Sequence, residues 1–335
     1  MRTKLFAAVA ALTLCAPALA ADYPWQPDRP ITLVVPWGAG GATDQVSRVT
    51  AGILEQELGQ SVVVVNQPGA SGSIGKKSVM DGPHDGYTWA AGAPKQLGTY
   101  KLLGQLDTWV DDWRLYTTVT NVPLISVNAD TPYQTVGELI EAMKAGPVSV
   151  GTAGDGSSGH AAIEALKAAT GIQYRHVPYD GGNPAVVATA GGETEVTTQL
   201  ASEQVDMIRA GKLRPLAVIA DKAVEIEGYG EVPPLKDQLD AQLPVLATSF
   251  GIFIPVEGTP REVFATLDQI WAEVIPDAEL LQKYARERGA LFTPSYGEAA
   301  REQVWPEIQA DAWSFHGAGR TVMSPEELGI PKPGA

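Results

Sequence analysis

The sequence predicts an α/β protein of two doubly wound lobes with a ligand cleft between them. Three observations predict it. Apolar runs and helical periods alternate strand, helix, strand, helix, strand between Ile31 and Ala91. The same pattern restarts at Val148. Each half carries one glycine-rich loop that leaves a strand and opens a helix: Trp37-Gly38-Ala39-Gly40-Gly41-Ala42-Thr43-Asp44, and Gly151-Thr152-Ala153-Gly154-Asp155-Gly156-Ser157-Ser158-Gly159-His160.

Residues 1–20 are expected to be a secretory signal outside the fold. Arg2 and Lys4 make a positive start, Leu5 to Leu14 is apolar, and Ala18-Leu19-Ala20 is a small-x-small cleavage site. The single cysteine, Cys15, leaves with it, and Leu14 before it does not suit lipoprotein attachment. The mature chain then has no disulfide, thiol nucleophile or thiolate metal ligand. Losing Arg2 and Lys4 moves the net charge from −15 to −17, which argues against nucleic acid and anionic membranes.

In the first half, Ile31 to Val35 reads as a strand and is followed by a helix with Val46, Val49, Ile53, Leu54 and Leu58 on one face and Gly59 behind it. Val62 to Val65 reads as a strand buried on both faces. Gly69, Gly72 and Gly75 lead into a helix ending near Met80, and Asp85-Gly86 turns into the strand Tyr87 to Ala91. Lys95 to Asp112 is irregular. Leu115 to Val119 and Leu124 to Val127 are strands, with the crossing to the second lobe between them.

The second lobe opens on the capping box Thr135-Val136-Gly137-Glu138 and a helix to Ala145. The strand Val148 to Val150, the second glycine loop, a helix ending at Gly171 and the strand Tyr174 to Val177 follow. Another helix, a strand near Val196, a helix to Ala210 and the strand Leu216 to Ile219 complete it. Phe250 to Ile254 returns the chain. Thr259-Pro260-Arg261-Glu262 starts a helical region as a second capping box. Pro306 is expected to interrupt the last helix, and the chain from Pro325 reads as an exposed tail. The lobes are thus expected over 21–123 plus 246–335 and over 124–245.

A strand emptying through glycines into a helix leaves free N–H groups and the positive end of the helix dipole at one spot, a site for phosphate or carboxylate. Two such loops in two lobes suit a clamp around a small anion. Gly154-x-Gly156-x-x-Gly159 also matches the dinucleotide fingerprint, with Asp180 as the acid, although an exported protein meets little NAD. Ser157 or Ser158 could serve a hydrolase, but no G-x-S-x-G elbow occurs. His84, His160, His176 and His316 show no metal-ligand spacing, so neither metal nor cofactor is expected.

Several segments together resemble the periplasmic substrate-binding proteins of tripartite tricarboxylate transporters, the Bug family. They are Val34 to Asp44, Val64-Val65-Asn66-Gln67-Pro68-Gly69-Ala70-Ser71-Gly72-Ser73-Ile74-Gly75, Asp85-Gly86-Tyr87-Thr88, Gly154 to His160, His176-Val177-Pro178-Tyr179-x-Gly181-Gly182-x-Pro184-Ala185 and Ile208 to Val218. The resemblance runs from about residue 23 to residue 315. It implies a type II periplasmic binding fold and a monomeric periplasmic receptor without catalysis. Such a receptor hands a small organic carboxylate to the membrane subunits of the transporter. It implies ligand contacts at Trp37, Gly38, Ala39, Gly40 and Gly41, and at Gly154, Gly156, Ser157, Ser158 and His160, with Thr198 and Gln199 in the wall. Neither loop holds a basic residue; Lys95 is the nearest cation. Asp155, Asp180 and Glu193-Thr194-Glu195 depart from the family pattern. Their charge is expected to disfavour a tricarboxylate relative to a mono- or dicarboxylate or an amino-bearing ligand. Gly40→Pro is expected to abolish binding with the fold intact.

Overall fold

The computed structural model describes residues 22–240, 243 and 246–333; the expected signal lies outside the described residues. The chain opens with β1 (Ile31–Val35), α1 (Ala42–Leu58), β2 (Val62–Asn66), α2 (Ser73–Met80) and β3 (Thr88–Gly92). Next, β4 (Trp113–Asn121) runs into β5 (Leu124–Asn128). Then come α3 (Val136–Ala145), β6 (Val148–Thr152), α4 (Ser158–Thr170), β7 (Tyr174–Pro178), α5 (Gly182–Ala190), β8 (Val196–Thr197), α6 (Ala201–Arg209) and β9 (Leu213–Val218). A hairpin of β10 (Val224–Ile226) and β11 (Gly230–Val232) precedes β12 (Thr248–Pro255). The chain ends through α7 (Arg261–Glu273), α8 (Glu279–Arg288), β13 (Leu291–Tyr296) and α9 (Gly297–Gly317).

These strands form two main sheets, ordered β13-β4-β12-β3-β1-β2 and β7-β6-β8-β5-β9. β2, β1 and β3 are parallel, and β12 joins them antiparallel to β3 and β4. In the second sheet β7, β6 and β8 are parallel, while β5 is antiparallel to β8 and β9. The chain passes from one sheet to the other between β4 and β5 and returns through β12, as the apolar runs predict. This is the type II periplasmic binding fold.

β1 is covered on both faces. Ile31, Leu33 and Val35 enter one apolar cluster with Val46, Ile53, Leu54 and Leu58 of α1, and Val34 enters another with Val304 and Ile308 of α9. Each such fully buried aliphatic side chain contributes roughly 1.5–3 kcal/mol. That packing holds the C-terminal end of β1 rigidly beneath the first glycine loop. Val150 and Val196 do the same in the second sheet, beside Ile163 and Leu166 of α4.

Five expectations need correction. β2 is not buried on both faces: it is an edge strand, and Val63 is 47% exposed. The second capping box does not form, because the Thr259 hydroxyl donates to Pro255 O at 2.7 Å and the helix starts at Arg261 behind Pro260. Leu291–Tyr296 is a strand within the region expected to be helical. α9 runs through Pro306, because Val304, Ile308, Ala312 and Phe315 bury one face on both sides of the proline. The C-terminal stretch is not an exposed tail: Ile330 is fully buried, and the Trp313 indole donates to Pro331 O at 3.0 Å.

Candidate functional site

Both glycine loops face the space between the sheets. In the first, Gly40 adopts a left-handed φ of 81° and its N–H donates to Asp44 Oδ2 at 2.9 Å. Asp44 also binds the Arg48 guanidinium and the Asn66 amide, which reaches Trp37 O. Burial alone would raise the Asp44 carboxyl, but these bonds overcome it and hold the group below its ordinary value. The loop therefore carries its own internal anion. Gly40→Pro is unsuited as a test of binding with the fold intact, because proline cannot adopt this φ and removes the donated N–H.

In the second loop Ser157 caps α4, its hydroxyl accepting from His160 N–H at 3.2 Å. Ser158 Oγ lies 2.9 Å from Thr248 Oγ1 of β12. Neither hydroxyl bonds an imidazole, so no activated serine nucleophile is formed among the described residues. Gly38 lies so close to Asp180 that a Cβ there would meet its carbonyl oxygen at 2.7 Å.

Between the loops lies a cavity of about 40 Å³. Trp37, Gly41, Ala42, Thr43, Ala93 and Gln96 line one side, together with Phe250 of β12. Ala153, Ser157, Ser158, Gly182, Gln199, Leu200 and Glu203 line the other. Of the residues the sequence points to, Trp37, Gly41, Ser157, Ser158 and Gln199 reach the cavity. Gly38, Ala39, Gly40, Gly154, Gly156, His160 and Thr198 do not line it. Ala39 is exposed, and the buried Thr198 hydroxyl donates to Gly159 O at 2.6 Å.

Glu203 is the residue the sequence reading missed. Its position three residues past Leu200 has the form of a helix cap, and one oxygen does accept from Leu200 N–H at 3.3 Å. The other accepts from Ala42 N–H at 3.0 Å, at the N-terminus of α1. Gln199, in the orientation that satisfies its amide, donates to Glu203 Oε2 at 2.9 Å and accepts from Ala153 N–H. Burial pushes the Glu203 carboxyl up to about 7, against the opposing effect of the Ala42 and Leu200 N–H groups.

The nearby cations are turned away from the cavity. Lys95 forms a buried pair with Asp311, Nζ to Oδ2 3.1 Å. Lys76 is buried behind the cavity, 3.3 Å from Gln96 Oε1, and desolvation lowers its ammonium to about 7. The acids offered as the source of charge also lie elsewhere. Glu195 accepts from Ser149 N–H and Oγ, the Asp180 backbone packs on Gly38, and Asp155 sits outside with two histidines.

Asp155, His160 and His176 form a group with metal-donor chemistry. The imidazoles stack at 4.2 Å with planes 4° apart. Parallel rings cannot both direct an in-plane lone pair at one ion, and Arg320 Nη1 already lies 3.2 Å from His160 Nδ1. The group is instead a clasp between the second loop and the segment after α9. Burial, with His176 and Arg320 adding to it, lowers His160 to about 4.

A family model described as tripartite tricarboxylate transporter family receptor matches residues 46–285. Protein BugT of Bordetella pertussis is 30% identical over 308 residues, covering 90% of this chain and 92% of the relative. A protein of R. palustris solved with adipate is 28% identical, covers 88% of this chain and 98% of its own, and superposes with a TM-score of 0.75. The periplasmic binding protein BugD, at 24% identity and a TM-score of 0.78, covers 88% of this chain and 99% of its own and shares the fold. The two glycine loops, the crossing strands and this match over most of the chain lead to one conclusion: the protein belongs to the Bug family of tripartite tricarboxylate transporter receptors.

Proposed function

We propose that the chain is a periplasmic receptor that captures a small organic carboxylate between its two sheets and hands it to the membrane subunits of a tripartite tricarboxylate transporter. The lobes that close on it are 21–123 plus 246–335 and 124–245, and the receptor works as a monomer without catalysis or cofactor. The observation that carries this reading is the cavity between the N-termini of α1 and α4, lined by Trp37, Gly41, Ser157, Ser158 and Gln199. At about 40 Å³ it holds roughly three waters, so ligand entry requires the lobes to part. The adipate-bound relative supports a carboxylate ligand.

A thermal-shift panel of aliphatic, aromatic and amino carboxylates on residues 21–335 tests it. A ligand present at about 100 times its Kd adds about 2.7 kcal/mol, which for a chain of this size raises Tm by several degrees. The ligand should be recovered unchanged. Turnover of a bound carboxylate, or no shift with any member of the panel, would overturn the receptor reading.

A further inference from the structure

Glu203 brings a carboxyl group to the place where the first glycine loop offers its helix N-terminus. A helix cap needs only the oxygen that accepts from Leu200. The second oxygen crosses the cleft to Ala42, and the residues around it make room for it. A Cβ on Gly182 would lie 2.0 Å from Glu203 Oε1, and one on Gly41 would lie 3.4 Å from the same atom. With Asp44 on Gly40 N–H and Glu203 on Ala42 N–H, the first loop is answered from within the chain. The start of α4, where Ser157 and Ser158 line the cavity, is the remaining place for a ligand carboxylate.

We propose that Glu203 is the specificity-determining residue of the cleft, selecting ligands that carry a carboxylate at one end and an ammonium or amide N–H at the other. The carboxylate sits at the α4 N-terminus and the nitrogen donates to Glu203. This rests on the receptor reading above. An ionised carboxylate has about four acceptor sites. Ala42, Leu200 and Gln199 take three, which leaves one for a ligand donor. A second ligand carboxylate at that position would meet Glu203 with no cationic side chain lining the cavity to offset the repulsion.

The test is calorimetric titration at pH 8 of the wild type and Glu203→Gln. The ligands are matched ω-amino carboxylates, ω-amides and dicarboxylates with backbones of three to six carbons. Glutamine keeps the acceptor for Ala42 N–H and the side-chain shape but removes the charge. The wild type should bind its best nitrogen-bearing ligand at least about ten-fold more tightly than the dicarboxylate of equal length. Glu203→Gln should lose most of that ratio while keeping the far-UV circular dichroism of the wild type. A ratio unchanged by the substitution, or a wild type that prefers dicarboxylates, overturns the Glu203 assignment and leaves the receptor standing. A variant with altered circular dichroism is replaced in the same titration by Glu203→Asp, which keeps the charge, withdraws it from Ala42 and should lower the ratio; an unchanged ratio again overturns the assignment. Failure of every carboxylate to bind either protein overturns the receptor reading together with the assignment.

Discussion

His160 illustrates how a residue chosen for one role from sequence takes another in the fold. The family resemblance implies a ligand contact there, while the register of β6 and β7 pairs Val150 with His176 and brings the two imidazoles into a stack. Asp155, Glu164, His176 and Arg320 all act on its charge. The folded pKa of about 4 lies below the ordinary histidine value of 6.5, so the unfolded chain takes up the proton first. Stability from this residue is therefore complete above about pH 6.5 and is lost as pH falls toward 4. The loss is on the order of 3 kcal/mol. Urea unfolding at pH 7 and pH 4.5 should show the wild type losing more stability than His160→Gln by about that amount. Equal losses in the two proteins would mean that the imidazole takes up its proton equally in the folded and unfolded states.

At the scale of elements, α5 and α6 position the carboxyl of Glu203 against α1. Gly182 does not adopt a left-handed φ, so its backbone accepts alanine. The new methyl would lie 2.0 Å from Oε1, 2.2 Å from Cδ and 2.3 Å from Oε2 of Glu203, so it would displace the whole carboxyl from both Ala42 and Leu200. Gly182→Ala should lower stability by about 1–3 kcal/mol, because the Ala42 and Leu200 N–H groups lose their shared acceptor. It should also shift ligand preference in the same direction as Glu203→Gln. Thermal unfolding and the same titrations check both, and an unchanged ligand preference would show that Glu203 stays in place. Local signals gave most element boundaries: Gly59 and Gly171 end their helices in left-handed conformations, and the Thr135 hydroxyl accepts from Glu138 N–H. β13 escaped because it contains Pro294, which argues against a strand. The structure accommodates it at a sheet edge, where the register with β4 shifts between Phe292 and Ser295.

Across the whole molecule, contacts bridge the cleft beside the cavity. Arg320 Nη2 approaches Asp155 Oδ2 at 3.8 Å, Ser71 Oγ donates to Asp155 O, and Ser158 meets Thr248. An exposed ion pair of this kind contributes about 0–1 kcal/mol. Arg320→Ala should therefore speed ligand release by up to about five-fold and leave the association rate nearly unchanged. Stopped-flow exchange measures both, and an unaltered release rate would remove the clasp from the closing mechanism. Apart from the β10–β11 hairpin and β13, the order of strands and helices was legible in the sequence, as were the two glycine loops and the family resemblance, because periodicity, caps and glycine turns act over a few residues. The occupant of the first loop was not. Glu203 and Ala42 are 161 positions apart, and only the docking of one sheet's helices against the other's loop brings a capping carboxylate to that helix N-terminus. The sequence by itself determined the two glycine loops that each lead from a strand into a helix; tertiary structure decided that Glu203 answers the helix N-terminus at one of them.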